Sequence, residues 1–162
     1  MFEMFRKKKG LDVYACVQGT SIALNHVDDP VFSQGLVGRG IAIVPEGNVV
    51  CSPIKGVLSV VFPTGHAFGI TSDEGIEILI HIGVDTVNLK GKGFDLLVEQ
   101  GQRVELGTPL VNVDFQLLKD TNYHTETMLL VTSTEDVCDF KPLVQEGTKV
   151  NNESIVFHCD KR

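Results

Sequence analysis

Residues 75–87 (GIEILIHIGVDTV) alternate between isoleucine and other side chains, and this alternation limits what the chain can fold into. A β-strand directs successive side chains to opposite faces of its sheet. His81 therefore lies on one face with Glu77 and Leu79, while the isoleucines share the other. These isoleucines are Ile76, Ile78, Ile80 and Ile82. The pattern predicts a half-buried strand whose histidine lies outside the main core.

A second histidine, His66, lies in the strand-like segment FPTGHAFGI, where we expect Phe68 and Ile70 to share its face. Residues 72–75 (SDEG), which separate the two segments, have the composition of a tight turn. Two strands joined by such a turn pair as antiparallel neighbours. The sequence therefore predicts that His66 and His81 come close together.

Short β-branched runs separated by Gly, Pro and Asn continue from Ile41 towards the C-terminus. Many short strands at close spacing are typical of an all-β sandwich or barrel. Residues 115–122 and 133–140 are the two places that resemble a helical turn, and Pro142 limits the second. We therefore expect an all-β fold with one or two short helical turns.

The pattern V-x-x-G-x-[RK]-V occurs twice, first at Val98 and again 46 residues later at Val144. Each copy reads as a strand, a turn that needs glycine, and a second strand. Two explanations stay open at this point, a repeated hairpin unit and a chance similarity between hairpins.

The 162 residues are enough for one ordinary domain, and their net charge of −7 is unevenly distributed. Residues 1–10 carry four basic side chains and one acidic one, so the remainder is strongly acidic. An acidic body argues against nucleic-acid binding and is compatible with basic protein partners. We expect a flexible basic tail over residues 1–10, with at most weak contact to a membrane surface, and one domain over residues 11–162.

No stretch approaches the roughly 18 apolar residues that a membrane-spanning helix needs, and no signal peptide is recognisable. These features predict a cytoplasmic protein. The four cysteines are widely spaced, which favours reduced thiols over a disulfide framework or a zinc finger.

Paired histidines near one surface can carry out phosphoryl transfer. One neutral imidazole can attack phosphorus while a second ring, held by a hydroxyl such as that of Thr64, donates hydrogen bonds to the phosphoryl oxygens. His81, His66 and Thr64 supply those groups. The alternative is that each histidine is simply a residue on the surface of a sheet.

Other chemistries have less support in the sequence. The motifs of nucleotide-binding loops, dinucleotide-binding folds and common zinc proteases do not occur, and we expect no cofactor. His66 and His81 could supply two of four zinc ligands if a partner completed the site, but we expect no resident metal. His26, His124 and His158 are assigned to structure or solvent.

The residues also carry a family resemblance. From about Gly19 to Lys161 the chain resembles the glucose-family enzyme IIA component of the bacterial phosphoenolpyruvate-dependent sugar phosphotransferase system. The matching segments are VFSQGLVGRGIAI, CSPIKGVLSVVFPTGHAFGI, GIEILIHIGVDTVNLKGKGF and EQGQRVELGTPLV, in the family's order and spacing. The resemblance implies curved antiparallel sheets and a phosphoryl group carried as phosphohistidine.

The resemblance also implies a role for individual residues. His81 corresponds to the histidine phosphorylated on Nε2, His66 to the second histidine that hydrogen-bonds the phosphoryl group, and Thr64 to the hydroxyl that holds that second ring. The implied docking surface consists of the apolar Phe32, Leu36, Val37 and Phe62, with Asp29 and Asp85 at its rim. Leu79, Pro63 and Gly65 depart from the family's common pattern, which bears on partner preference.

By the same resemblance the phosphoryl donor is the small phosphocarrier protein HPr, and the acceptor is the IIB domain of a membrane sugar permease. A second interpretation is a regulatory protein that binds permeases or metabolic enzymes according to its phosphorylation state. A biotin- or lipoyl-type carrier is rejected, because no lysine flanked by methionines lies at a hairpin tip.

Overall fold

The structure, a computed structural model, describes residues 10–162. The expected basic tail lies outside the described residues except for Gly10, which begins the first strand. Within the described residues no helix is long and apolar enough to cross a membrane.

Fourteen strands and two short α-helices make up about half of the described chain. The strands are β1 Gly10–Tyr14, β2 Gly19–Ala23, β3 Arg39–Pro45, β4 Val49–Cys51, β5 Gly56–Val61, β6 Ala67–Ser72, β7 Glu77–Ile82, β8 Phe94–Leu96, β9 Arg103–Val104, β10 Pro109–Val113, β11 Thr127–Val131, β12 Val137–Pro142, β13 Lys149–Val150 and β14 Ile155–Lys161. The helices are α1 Pro30–Ser33 and α2 Phe115–Asp120, and short 3-10 turns lie at Leu24–His26, Thr86–Leu89 and Thr134–Asp136. The all-β prediction is confirmed.

Three antiparallel sheets build the fold. The largest has the strand order β13-β2-β3-β11-β7-β6-β5-β9, and two three-stranded sheets have the orders β1-β14-β12 and β4-β10-β8. The main core lies between them and includes the fully buried Phe68, Leu110 and Phe157. The predicted β6–β7 hairpin is present, with the Gly75 N–H donating to the Ser72 carbonyl at 2.9 Å.

The predicted helical turn in residues 133–140 is present only at the start of that segment. A single 3-10 turn at Thr134–Asp136 gives way to strand β12, which pairs with β14. The pairing satisfies the backbone of this segment and lets Phe140 pack its ring against that of Phe157 at 4.9 Å. Helix α1 and the 3-10 turn at Thr86–Leu89 were not predicted, and neither were β1 and β2.

The two copies of the repeated pattern have matching hydrogen bonds. The Gly101 N–H donates to the Leu58 carbonyl at 2.7 Å, and its counterpart Gly147 donates to the Ser21 carbonyl at 2.8 Å. Strands β9 and β13 take corresponding places at opposite ends of the large sheet. The two segments are therefore structurally equivalent strand–turn–strand units. Neither is a hairpin, because β8 and β12, which precede the turns, lie in different sheets from β9 and β13, so the hairpin part of the expectation is wrong.

Candidate functional site

His81 lies on β7, in the middle of the large sheet between β6 and β11. The four isoleucines of residues 76–82 are fully buried in the main core, whereas His81 is partly exposed on the opposite face. The predicted orientation is therefore confirmed. A second apolar cluster, which we call the outer cluster, covers part of this opposite face. It consists of Val27, Phe32, Ala42, Val84, Met128 and Leu130.

His66 lies one residue before β6 and contacts His81 directly. The two ring centroids are 5.3 Å apart at an interplanar angle of 82°. The Ile82 N–H, adjacent to His81, donates to the His66 carbonyl at 2.8 Å. The predicted proximity of the two imidazoles is confirmed.

The expectation that His66 shares a face with Phe68 and Ile70 is wrong. Both of those side chains lie in the main core, while the His66 ring meets His81 on the other side of the sheet. Regular alternation begins only at Ala67, because Gly65 has a φ of 78° that interrupts the strand. His66 is nevertheless 97% buried.

The hydrogen bond of His81 identifies its available nitrogen. Its Nδ1 lies 2.9 Å from the carbonyl oxygen of Gly83. A carbonyl only accepts hydrogen bonds, so Nδ1 carries the proton and donates. In the neutral ring the other nitrogen, Nε2, then holds the lone pair. Nε2 is therefore the nitrogen of His81 that is able to act as a nucleophile.

His66 has a different partner. Its Nδ1 lies 2.5 Å from the hydroxyl oxygen of Thr64. Burial lowers the pKa of His66 to about 4, and the nearby His81 adds to the shift by disfavouring a second positive charge. His66 is therefore neutral near pH 7. If Thr64 donates its hydroxyl proton to Nδ1, Nε2 of His66 carries a hydrogen and acts as a donor.

The pKa of His81 is also lowered, chiefly by burial. Three interactions oppose that shift, namely the hydrogen bond to Gly83 and the negative charges of Asp29 and Asp85. A neutral imidazole keeps the lone pair that nucleophilic attack requires. The two carboxylates would also stabilise positive charge that develops on the ring during attack.

Aromatic rings flank both histidines. Phe32 packs against His81 with ring centroids 4.9 Å apart, and Phe62 packs against His66 at 5.1 Å. Phe32 is buried on α1, a helix that Asp29 caps by accepting a hydrogen bond from the Val31 N–H at 2.8 Å. Phe62 is 41% exposed. The two rings form apolar walls on either side of the imidazole pair.

The remaining residues of the expected surface differ in exposure. Leu36 is 70% exposed, whereas Val37 is partly buried and packs against the outer cluster. Asp85 adopts a left-handed backbone conformation just after Gly83, at the start of the 3-10 turn. The fold thus brings Asp29, Asp85, Phe32 and Phe62 to the histidines.

Sequence reasoning missed the Gly83 carbonyl and helix α1. The Asp29–Pro30 pair was a usable signal for α1, because Asp favours the N-cap position and Pro favours the first helical position. No sequence signal marks the carbonyl, since every residue has one.

The other three histidines all pair with carboxylates. His26 lies 2.5 Å from Glu146, His124 lies 3.2 Å from Asp28, and His158 contacts Asp12 and Asp160. Among residues 10–162 no group of three or more His, Cys, Asp or Glu side chains has the arrangement of a metal site. His66 and His81 together could offer at most two ligands to a metal completed by a partner.

Comparisons with known proteins identify the family of the chain. Residues 11–137 match the model of the family described as phosphoenolpyruvate-dependent sugar phosphotransferase system, EIIA 1. The PTS system glucose-specific EIIA component of Halalkalibacterium halodurans is 38% identical, over 94% of this chain and 96% of that relative. The structure of the glucose permease IIA from Mycoplasma capricolum matches with a TM-score of 0.80 and 37% identity, over 95% of this chain and 97% of that one.

Some relatives are much longer. The PTS system beta-glucoside-specific EIIBCA component of Bacillus subtilis is 42% identical over 144 residues, which are 89% of this chain and 24% of that relative. The chain therefore spans about a quarter of the length of this relative. The chain is a sugar phosphotransferase system component and belongs to the EIIA 1 family of the phosphoenolpyruvate-dependent system.

Proposed function

We propose that the chain is a phosphoryl carrier that accepts a phosphoryl group on Nε2 of His81 and passes it to a sugar permease. The observation that carries this proposal is the hydrogen bond from Nδ1 of His81 to the Gly83 carbonyl, which leaves Nε2 with a lone pair. The face that bears His81 is also free of the main core, so a partner can reach it.

The transfer is a displacement at phosphorus. The Nε2 lone pair attacks the phosphoryl group of a phosphorylated donor, a new N–P bond forms, and the bond to the donor's leaving atom breaks. The proton on Nδ1 stays in place throughout. His66, with Nε2 as its donor, would hydrogen-bond a phosphoryl oxygen, and Thr64 would hold that ring by its hydroxyl.

We assign HPr as the donor and the IIB domain of a sugar permease as the acceptor. The EIIBCA relative of Bacillus subtilis supports the second assignment, because its name joins an A component to B and C components. Phe32, Phe62, Leu36 and Val37 would supply apolar contact. Asp29 and Asp85 would steer a basic partner towards His81.

The first experiment is phosphoryl loading measured by intact mass. The purified chain is incubated with phosphoenolpyruvate, enzyme I and HPr, alongside His81→Ala and His26→Ala variants. We expect one added phosphoryl group on wild type and on the His26→Ala control, because His26 lies elsewhere and pairs with Glu146. Loading of the His81→Ala variant would contradict the assignment of the carrier residue.

The second experiment separates His66 from His81. A His66→Gln variant should still accept the phosphoryl group, because Nε2 of His81 is intact, but should pass it on more slowly to a IIB domain. Loss of one hydrogen bond to a charged group predicts a decrease of roughly tenfold or more. Normal onward transfer by the variant would remove the assisting role of His66.

A second candidate function is phosphorylation-dependent binding of regulatory targets. The observation that favours it is the position of the imidazoles between the rings of Phe32 and Phe62. A dianionic phosphoryl group placed there would oppose any partner that needs to bury those rings. Capture of a partner by wild type but not by the His81→Asp variant would support this function, and identical capture by both would argue against it.

A further inference from the structure

The carbonyl that fixes the tautomer of His81 belongs to a short connection, Gly83–Asp85, between β7 and the 3-10 turn at Thr86–Leu89. Gly83 and Asp85 have positive φ angles of 72° and 59°. Left-handed conformations are uncommon for residues other than glycine, although Asp tolerates them better than most, so we expect neighbouring contacts to hold this connection.

Two successive peptide groups of the connection are anchored by hydrogen bonds. In the Ile82–Gly83 peptide the Gly83 N–H donates to the Glu126 carbonyl at 3.0 Å. In the Gly83–Val84 peptide the Val84 N–H donates to the His124 carbonyl at 3.3 Å, while the Gly83 carbonyl accepts from His81. Both N–H groups thus donate to carbonyl oxygens of the backbone.

The carbonyl of the Ile82–Gly83 peptide is held by a side chain. The Thr86 hydroxyl donates to the Ile82 carbonyl at 2.5 Å, and Thr86 is fully buried. The same residue, Ile82, donates its N–H to the His66 carbonyl. The Thr86 hydroxyl therefore bonds to Ile82, which follows His81 in the chain and is hydrogen-bonded to the backbone of His66.

We propose that Thr86 is a positioning residue for phosphoryl acceptance, acting through the Ile82–Gly83 peptide to hold the Gly83 carbonyl on Nδ1 of His81. This inference rests on the proposed function. Without the hydroxyl, the Ile82–Gly83 peptide keeps only its Gly83 N–H anchor and can tilt about it. We expect the Gly83 carbonyl of the next peptide then to move away from Nδ1, so that the ring proton redistributes between the two nitrogens. A His81 ring that is protonated on Nε2 has no lone pair there and cannot attack phosphorus.

The chain offers a matched control at Thr127. Thr127 is also fully buried, and its hydroxyl donates to a backbone carbonyl, that of Thr125, at 3.2 Å. It lies directly opposite Ile82 on β11, but its hydroxyl is bonded away from the Ile82–Gly83 peptide. Thr86→Val and Thr127→Val therefore each remove one buried hydroxyl. Of the two, the Thr86 hydroxyl is the one that bonds to the Ile82–Gly83 peptide.

The experiment compares Thr86→Val, Thr86→Ser and Thr127→Val by two measurements. The first is the nitrogen NMR spectrum of the His81 ring, which distinguishes a protonated Nδ1 from a protonated Nε2. The second is the initial rate of loading from phosphorylated HPr. We expect Thr86→Val to lose the single Nδ1–H signature and to load about fivefold more slowly, the effect of one hydrogen bond. The Ser and Thr127→Val variants should behave like wild type.

An unchanged His81 tautomer in folded Thr86→Val protein would overturn the inference, as would an equal loss of rate in Thr127→Val. If Thr86→Val does not fold, Thr86→Ala takes its place, with the same two readouts. A failure of the proposed function is distinguishable, since wild type itself would then not be loaded while the NMR comparison would still test the role of Thr86.

Discussion

The two histidines of the site differ in what holds their Nδ1 atoms. A backbone carbonyl that can only accept fixes the proton on Nδ1 of His81, whereas a hydroxyl that can donate or accept faces Nδ1 of His66. Their burial differs too, because His66 is almost wholly enclosed. Residues of one chemical type are thus given different protonation behaviour by their immediate neighbours.

The lowered pKa of His66 predicts a dependence of stability on pH. In the unfolded chain the His66 ring binds a proton below about pH 6.5. In the folded chain the ring binds that proton only below about pH 4. The free energy of unfolding should therefore fall as pH drops from about 6.5 towards 4. In a His66→Gln variant the free energy of unfolding should fall by a smaller amount over the same pH range. Urea unfolding across this pH range measures the difference, and parallel curves for the two proteins would contradict it.

At the scale of elements, strand β1 is held to β14 by more than backbone pairing. His158 on β14 contacts Asp12 of β1 at 2.6 Å and Asp160 at 2.9 Å, through different ring nitrogens. A ring that donates from both nitrogens carries a positive charge. Hydrogen bonds to these two carboxylates raise the pKa of His158.

The raised pKa of His158 predicts the opposite pH dependence from that of His66. The stabilisation is fully present below the unfolded pKa of about 6.5 and is lost as pH rises through the higher folded value. A His158→Gln variant should be less stable than wild type by about 0.5 kcal/mol at pH 6, with a smaller difference at pH 9. Urea unfolding at both values tests this, and a deficit that does not shrink at pH 9 would count against the charged contact.

At the scale of the whole molecule, the two repeated strand–turn–strand segments contribute to one core. Val104 of β9 and Val150 of β13 occupy equivalent repeat positions, are almost fully buried, and belong to the same hydrophobic cluster. Their strands close opposite ends of the large sheet. Because one hydrophobic cluster contains residues from both ends of the large sheet, we expect the two ends to fold and unfold together.

This shared core predicts that Val104→Ala and Val150→Ala lower the same unfolding transition. Each change removes two buried methyl groups and should cost about 2 kcal/mol. Calorimetry should show a single transition that moves to lower temperature in both variants, because both ends of the sheet unfold together. Two separate transitions, each affected by only one variant, would show that the repeats unfold independently.

Local patterns in the sequence determined the β6–β7 hairpin and the orientation of His81. A strand has a period of two, so the isoleucines settle which face is buried, and the SDEG turn settles which strands pair. The repeated glycine turns and the all-β class follow from similarly local signals. These features need no information about distant residues.

The tertiary structure alone decided the protonation of His81 and the surroundings of the site. The Gly83 carbonyl, the Thr86 hydroxyl and the Phe32 ring act through distances and directions that residue type does not encode. The same reason explains β12, whose segment resembles a helix in isolation and becomes a strand because β14 offers it a partner. Local chemistry names the groups that can react, and contacts between distant segments determine which atom is free to do so.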